Sequence, residues 1–387
     1  MAMHERLNEA VYGAKRSAIR EFSRLAAQTP GCVRLTLGEP DFDTPLPVRE
    51  AAKAALDAGE THYIENSGAR ALREKIAFFE RTRNGLNYAA DDVIVTAGAT
   101  EALFAALFGI LNPGDEVIVP TPAFVLYERI IGLCRGVFVP LDTEPDGFQL
   151  DEGRLRALVT PRTKAVVLNS PNNPTGCVYS RKSLEAVRAV AGAHDLFVIC
   201  DDVYRQLCYE PDYHSFAEYQ ALRDRIIVVQ SFSKPWAMTG WRVGYLMADA
   251  PVRERLELIH QFMVTSTPAP FQRACMTALD CDSAQMAAEY RKRRDYVLPR
   301  LNAMGLETPM PGGAFYAFPS IARFGMDSTA FCTRLLREGG VAVTPGAAFG
   351  ADGRVRLSFC CGMDALREGL DRMEAFVHRL GGGGAHD

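Results

Sequence analysis

From about residue 92 the chain alternates short apolar, β-branched runs with longer stretches of helical character. Residues 92–96 (Asp-Val-Ile-Val-Thr) lead into an apolar helix that opens at Thr100 and is closed by the turn signal Asn112-Pro-Gly-Asp. Further strand-like runs follow at 116–120, 136–140, 165–168, 197–200, 226–229 and 242–246. They are apolar almost throughout rather than alternating, which predicts a sheet buried on both faces under helices and largely parallel. The fold class expected is α/β, with a large domain over residues 46–285. The pattern then changes. Strands are predicted at 314–318 and 355–359, and the last helix sets Leu366, Leu370, Met373, Val377 and Leu380 on one face. This reads as a smaller α+β domain over residues 286–380, completed by the N-terminal segment 1–45. The glycine run 381–384 predicts a disordered tail over 381–387. There are no internal repeats.

A length of 387 residues fits a large domain plus a smaller one. Basic and acidic residues nearly balance, 43 against 47, so nothing points to a nucleic-acid or membrane partner. The longest apolar stretch, 102–111, is too short to span a bilayer, and residues 1–20 lack a signal-peptide core. A cytoplasmic protein is expected. Its ten cysteines should then be reduced, with Cys200 a small core residue. There is no Cys-x-x-Cys pair and the seven histidines are scattered, so no metal site is expected.

In open α/β sheets ligands bind beyond the carboxyl ends of the strands, so the polar residues there carry the chemistry. The run 226–229 leads directly into Gln230-Ser-Phe-Ser-Lys-Pro-Trp-Ala-Met-Thr-Gly-Trp-Arg242. Lys234 is either an ordinary loop lysine or a desolvated, nucleophilic amine. Ser231, Ser233 and Arg242 bring hydroxyls and a permanent cation suited to a phosphate. Asp201 ends the run 197–200, with Asp202 next and Tyr204 three beyond. It is either a turn cap or, beside a pyridine ring, the carboxylate that keeps the ring nitrogen protonated. Ser170-Pro-Asn-Asn-Pro-Thr-Gly176 is a turn anywhere, but Asn173 could donate to a ring oxygen. Gly98-Ala-Thr100 opens an apolar helix whose free N–H groups suit a phosphate. No Gly-x-Gly-x-x-Gly or P-loop pattern occurs, which argues against dinucleotide and P-loop sites. Phe124 is core or a stacking platform. Arg356, between Val355 and Leu357, is a solvated strand residue or a bidentate grip for a carboxylate.

Taken in order, these motifs resemble the fold-type-I aminotransferases, the class I/II family that includes aspartate and aromatic amino-acid aminotransferases. The resemblance runs from Leu37-Gly-Glu-Pro-Asp-Phe42 to Arg356-Leu-Ser-Phe359, and the eight-residue step from Lys234 to Arg242 is its most specific element. It implies a seven-stranded-type sheet and a homodimer with active sites at the subunit interface. The cofactor implied is pyridoxal 5'-phosphate (PLP), with Lys234 as the Schiff-base lysine and general base and Asp201 paired with the pyridine nitrogen. Asn173 and Tyr204 match positions that bond the ring hydroxyl oxygen, and Phe124 the stacking position. Ala99, Thr100, Ser231, Ser233 and Arg242 match phosphate-binding positions. Tyr63 matches a tyrosine that reaches the neighbouring subunit's phosphate. Arg356 matches the arginine for the substrate α-carboxylate, and Gly38 lies on the loop that closes beside it. Three residues depart from the pattern. Phe124 replaces a common Tyr or Trp, Asp202 stands where Glu is common, and Pro235 directly follows the lysine.

The resemblance implies transamination between an L-amino acid and a 2-oxo acid with ping-pong kinetics. Another PLP reaction on the same fold, such as C–S β-elimination, is the nearer alternative, and a non-catalytic PLP-binding regulator the remoter one. Phe124 and the nearby Trp236, with no second pocket cation evident, favour neutral substrates over aspartate.

Overall fold

The computed structural model describes residues 3–12 and 18–382. After β1 (Val33–Arg34), seven strands form the main sheet: β2 (Val93–Thr96), β3 (Glu116–Thr121), β4 (Val137–Asp142), β5 (Thr163–Asn169), β6 (Phe197–Asp201), β7 (Ile226–Ser231) and β8 (Gly244–Met247). Their order is β2-β8-β7-β6-β5-β3-β4. β8 runs antiparallel to β2 and β7, and every other pairing is parallel. The reversal at β8 has a local cause. A parallel return needs a crossover, usually a helix. The connection 232–243 carries the lysine loop and only a 3₁₀ turn at Thr239–Trp241.

Both faces of the sheet are covered. Successive residues of a strand point to opposite sides. Val198 and Val228 accordingly join one apolar layer with Ile76 and Val187. Ile199 and Val229 join the other, with Ala102 and Leu103 of helix Ala99–Ile110. Cys200 is buried in the first layer, as expected of a core residue. One expected strand start is corrected. Arg242 is not in β8: its left-handed backbone (φ 54°) closes the preceding turn, and the strand begins at Gly244.

The C-terminal part contributes β9 (Tyr316–Ala317), β10 (Val341–Ala342), β11 (Thr344–Pro345) and β12 (Val355–Ser358). An antiparallel sheet of order β11-β12-β9 forms, while β10 pairs in parallel with β1 through Val33 and Val341. The final helix Met363–Gly382 buries Leu366, Leu370, Met373 and Val377 against this sheet. Val33 and Leu35 lie in the same apolar cluster, so the N-terminal segment and the C-terminal part share one core. That cluster also takes in Val203 and Tyr204 from the loop after β6, and through them it abuts the end of the large sheet. Gly381 and Gly382 close the last helix instead of starting a disordered tail. Residues 383–387, the rest of the expected tail, lie outside the described residues.

Candidate active site

A cavity of about 270 Å³ lies where β5, β6 and β7 end, roofed by the segment 36–38 and by residues of β9 and β12. Every candidate named from the sequence lines it except Tyr63 and Trp236.

Lys234 sits three residues past β7, half-buried, with its Nζ donating to the Gly38 carbonyl at 2.6 Å. The rings of Phe315 and Tyr204 stand 5.8 and 6.0 Å from the amine. Loss of hydration pulls its pKa down to about 8. Gly38 has no room for a side chain, because a Cβ there would fall 1.9 Å from the Tyr316 hydroxyl oxygen.

Asp201, the last residue of β6, turns its carboxylate into the cavity. Tyr127 donates a hydrogen bond to its Oδ2 at 2.6 Å. Burial raises its pKa to about 6, against the lowering effect of that hydrogen bond. Asp202 faces away from the cavity. Its Oδ2 accepts from Ser215 Oγ at 2.6 Å and lies 3.9 Å from Arg205, which in turn reaches the wholly buried Glu80 at 3.2 Å. The two adjacent aspartates thus divide between the cavity and the core, and the departure at position 202 falls on the core side.

The loop after β5 is built by its own side chains. Asn169 accepts the Asn173 N–H at 2.8 Å and donates to the Asp201 carbonyl at 2.9 Å. Asn173 Oδ1 then accepts from Arg356 at 2.9 Å. Arg356 is fully buried, donates also to the Thr36 carbonyl at 2.7 Å, and lies against the rings of Tyr316 and Phe349. Its Nε has no partner among the described residues. Tyr204 and Tyr316 share a hydrogen bond of 2.8 Å between their hydroxyls.

At the other end Ala99 and Thr100 open helix Ala99–Ile110 behind Gly98, whose φ of 81° suits glycine. The first N–H groups of such a helix have no intrahelical acceptor. The Arg242 guanidinium passes so close that a Cβ on Gly98 would lie 2.6 Å from it. Ser231 Oγ accepts the Ser233 N–H at 3.0 Å, which curls the two serines around the same corner. Phe124 forms part of the wall, edge-on to Tyr127.

Tyr63 is 89% exposed and lines a separate shallow surface with His62 and Arg273. Trp236 is corrected as a pocket residue. It is buried beside Phe232 and donates to the Cys281 carbonyl, because Pro235 and Ala237 turn the chain back into the core. Sequence reasoning missed Tyr127, Asn169 and Tyr316. Tyr127 meets an acceptor 74 residues away, which leaves no local signal. Gly312-Gly313 ahead of Phe315-Tyr316 did offer one, since paired glycines mark close backbone approach.

A desolvated lysine and a buried carboxylate sharing one cavity, with a permanent cation and helix N–H groups at one end of it, define on this sheet a fold-type-I PLP enzyme. The chain belongs to the aminotransferases of class I and II, a family that matches residues 30–373. It is 42% identical over 381 residues to a probable N-acetyl-LL-diaminopimelate aminotransferase of Bacillus subtilis, covering 97% of this chain and 96% of that one. With an arginine–pyruvate transaminase of Pseudomonas aeruginosa it shares 41% over 346 residues, 88% of each chain. The solved aspartate aminotransferase of Thermus thermophilus with maleate superimposes with a TM-score of 0.91 at 40% identity, covering 95% of this chain and 99% of that one. The protein is a PLP-dependent aminotransferase that exchanges amino groups between amino acids and 2-oxo acids. Nothing found favours elimination chemistry or a regulatory role.

The residues present fit this cofactor. Asp201 could accept from a ring N–H, Arg242 and the helix end could donate to a phosphate, and the Nε of Arg356, unpartnered among the described residues, could donate to a carboxylate.

Proposed function

We propose that Lys234 is the residue that holds the cofactor covalently and, once freed by substrate, moves the α-proton. The observation that carries this reading is the meeting of Lys234, Asp201 and Arg356 in one cavity. Bound there, PLP supplies an electron sink for the substrate's α-carbon. Lys234 Nζ, with a pKa near 8, is basic enough to accept the α-proton and neutral often enough to do so. Asp201 holds a proton on the ring nitrogen, and Tyr127 orients that carboxylate. Arg356 grips the substrate α-carboxylate, already aimed by Asn173 and Thr36. Tyr204 and Asn173 serve the ring oxygen, Phe124 packs on the ring, and Ala99, Thr100, Ser231, Ser233 and Arg242 hold the phosphate. Gly38 supplies a carbonyl that keeps Lys234 at the cavity wall.

Tyr63 is assigned to the partner's site in a homodimer, a reading supported by its exposure and its separation from its own cavity. A cytoplasmic location is supported by ten unpaired cysteines. The substrate reading is a neutral L-amino acid. The cations lining the cavity are Lys234, Arg242 and Arg356, each with a task, while Leu37, Leu103, Leu126 and Phe124 make much of the remaining wall apolar.

Two measurements test this. Borohydride should label the native protein at Lys234, and a label on any other lysine would remove the assignment. Mixing the PLP form with single amino acids should bleach its visible absorbance faster with phenylalanine, leucine or alanine than with aspartate. The opposite order would mean a cation, from this chain or its partner, serves the distal carboxylate.

A further inference from the structure

Behind the Ala97–Thr100 turn lies a buried pair that the transamination chemistry does not use. Helix Ala250–Val264 brings His260, wholly buried, to Glu101 in the first turn of helix Ala99–Ile110. His260 Nδ1 is 2.8 Å from Glu101 Oε1, and Nε2 is 2.8 Å from the Asn66 carbonyl oxygen. The second carboxylate oxygen, Oε2, accepts the Ala97 N–H at 2.6 Å.

The hydrogen count follows from these partners. A carbonyl oxygen only accepts, so Nε2 carries a hydrogen. Nδ1 and Oε1 cannot face each other with lone pairs alone, so one proton lies between them. It rides on the ring as imidazolium or on the carboxyl group as a neutral acid. In both arrangements the pair is neutral as a whole. That matters because Glu101 stands in the first turn of the helix assigned to the cofactor's phosphate. A lone carboxylate there would compete with the phosphate for the same positive helix end and repel it.

We propose that Glu101 and His260 are positioning residues for the cofactor's phosphate, their shared proton cancelling the carboxylate charge beneath the phosphate-binding turn. Glu101 Oε2 fixes that turn through the Ala97 amide. His260 ties to it, through Asn66, the segment that carries Tyr63 three residues earlier. The inference rests on the phosphate lying at Ala99, Thr100 and Arg242.

The test compares equilibrium binding of PLP and of phosphate-free pyridoxal to the full chain freed of cofactor. His260→Gln, which cannot supply the extra proton, should weaken PLP about tenfold and leave pyridoxal unchanged. Adding Glu101→Gln should restore most of the loss, because the neutral pair returns. Equal weakening of both ligands, or no recovery in the double variant, overturns the proposal. Should His260→Gln fail to fold, Glu101→Gln alone decides. PLP affinity kept or raised supports the idea, and a loss confined to PLP sinks it. Arg242→Gln separates the two readings. If it discriminates PLP from pyridoxal and His260→Gln does not, only this inference fails. If neither discriminates, the phosphate assignment itself is wrong.

Discussion

Asp201 and Asp202 differ by one position and end in opposite surroundings, because a strand end sends consecutive side chains to opposite faces. Only Asp201 meets the cavity, and only it is supported by Tyr127. Tyr127→Phe removes a hydrogen bond that lowers the Asp201 pKa, so that carboxyl group should titrate higher still. We expect kcat to fall roughly tenfold with KM changed much less, the scale of one hydrogen bond to a charged group. A change confined to KM would place Tyr127 outside the electron-sink role. Lys234 gives a second prediction. With its amine near pH 8, capture of PLP by the cofactor-free chain should accelerate as pH rises through about 8 and then level. The sign for stability follows from the same shift. Between about 8 and 10.5 the unfolded chain binds the proton that folded Lys234 refuses, so this residue's contribution to stability rises with pH across that window. A capture rate flat from pH 7 to about 9 would contradict the desolvated amine.

Among the elements, the turn from β2 into helix Ala99–Ile110 is the most constrained part of the site. Gly98 combines positive φ with an approach that leaves no space for a methyl group beside Arg242. Gly98→Ala should cost about 1–3 kcal/mol in backbone strain and displace the guanidinium. Retention of PLP should drop at least tenfold, measured by dialysis against phosphate, while far-UV circular dichroism stays that of the native chain. Unchanged retention would show that Arg242 does not reach the phosphate from this turn. The β7–β8 connection is similarly spent on function. It carries Lys234 and Arg242 in place of a crossover helix, and the antiparallel β8 is the consequence.

For the whole molecule, the site is closed by two cores. Arg356 comes from β12 and Lys234 from the loop after β7, and the segment around Gly38 spans them. Tyr63 at 89% and Phe262 at 84% exposure are large aromatic surfaces for a lone chain. We expect a homodimer by sedimentation. Mixed subunits carrying Tyr63→Phe and Lys234→Ala should recover activity that neither homodimer has, since one site in the hybrid is intact. A fully active monomer would rule this out.

The local sequence alone determined a good deal. Continuous apolar runs between helical stretches specify a doubly covered sheet, and the chemistry-bearing residues stand at the strand ends where such sheets bind ligands. Lys234, Asp201 and Asn173 could be singled out at or just beyond strand ends, and Arg356 within a strand, but each kept an ordinary reading by itself. Their order along the chain, through its resemblance to a known family, is what suggested their roles. What the tertiary structure decided are matters of direction and long-range partnership. Arg242 looked like the start of a strand and is a left-handed turn residue, its guanidinium lying against Gly98 just past the end of the neighbouring strand β2. Trp236 looked like a pocket residue and is core, since Phe232 and the Cys281 carbonyl claim it. Tyr127 and His260 carried no local mark, because their partners lie 74 and 159 residues away. Hydrophobic period is a property of neighbours in the chain and survives in the sequence, whereas a buried hydrogen bond belongs to two distant segments and exists only once both are packed.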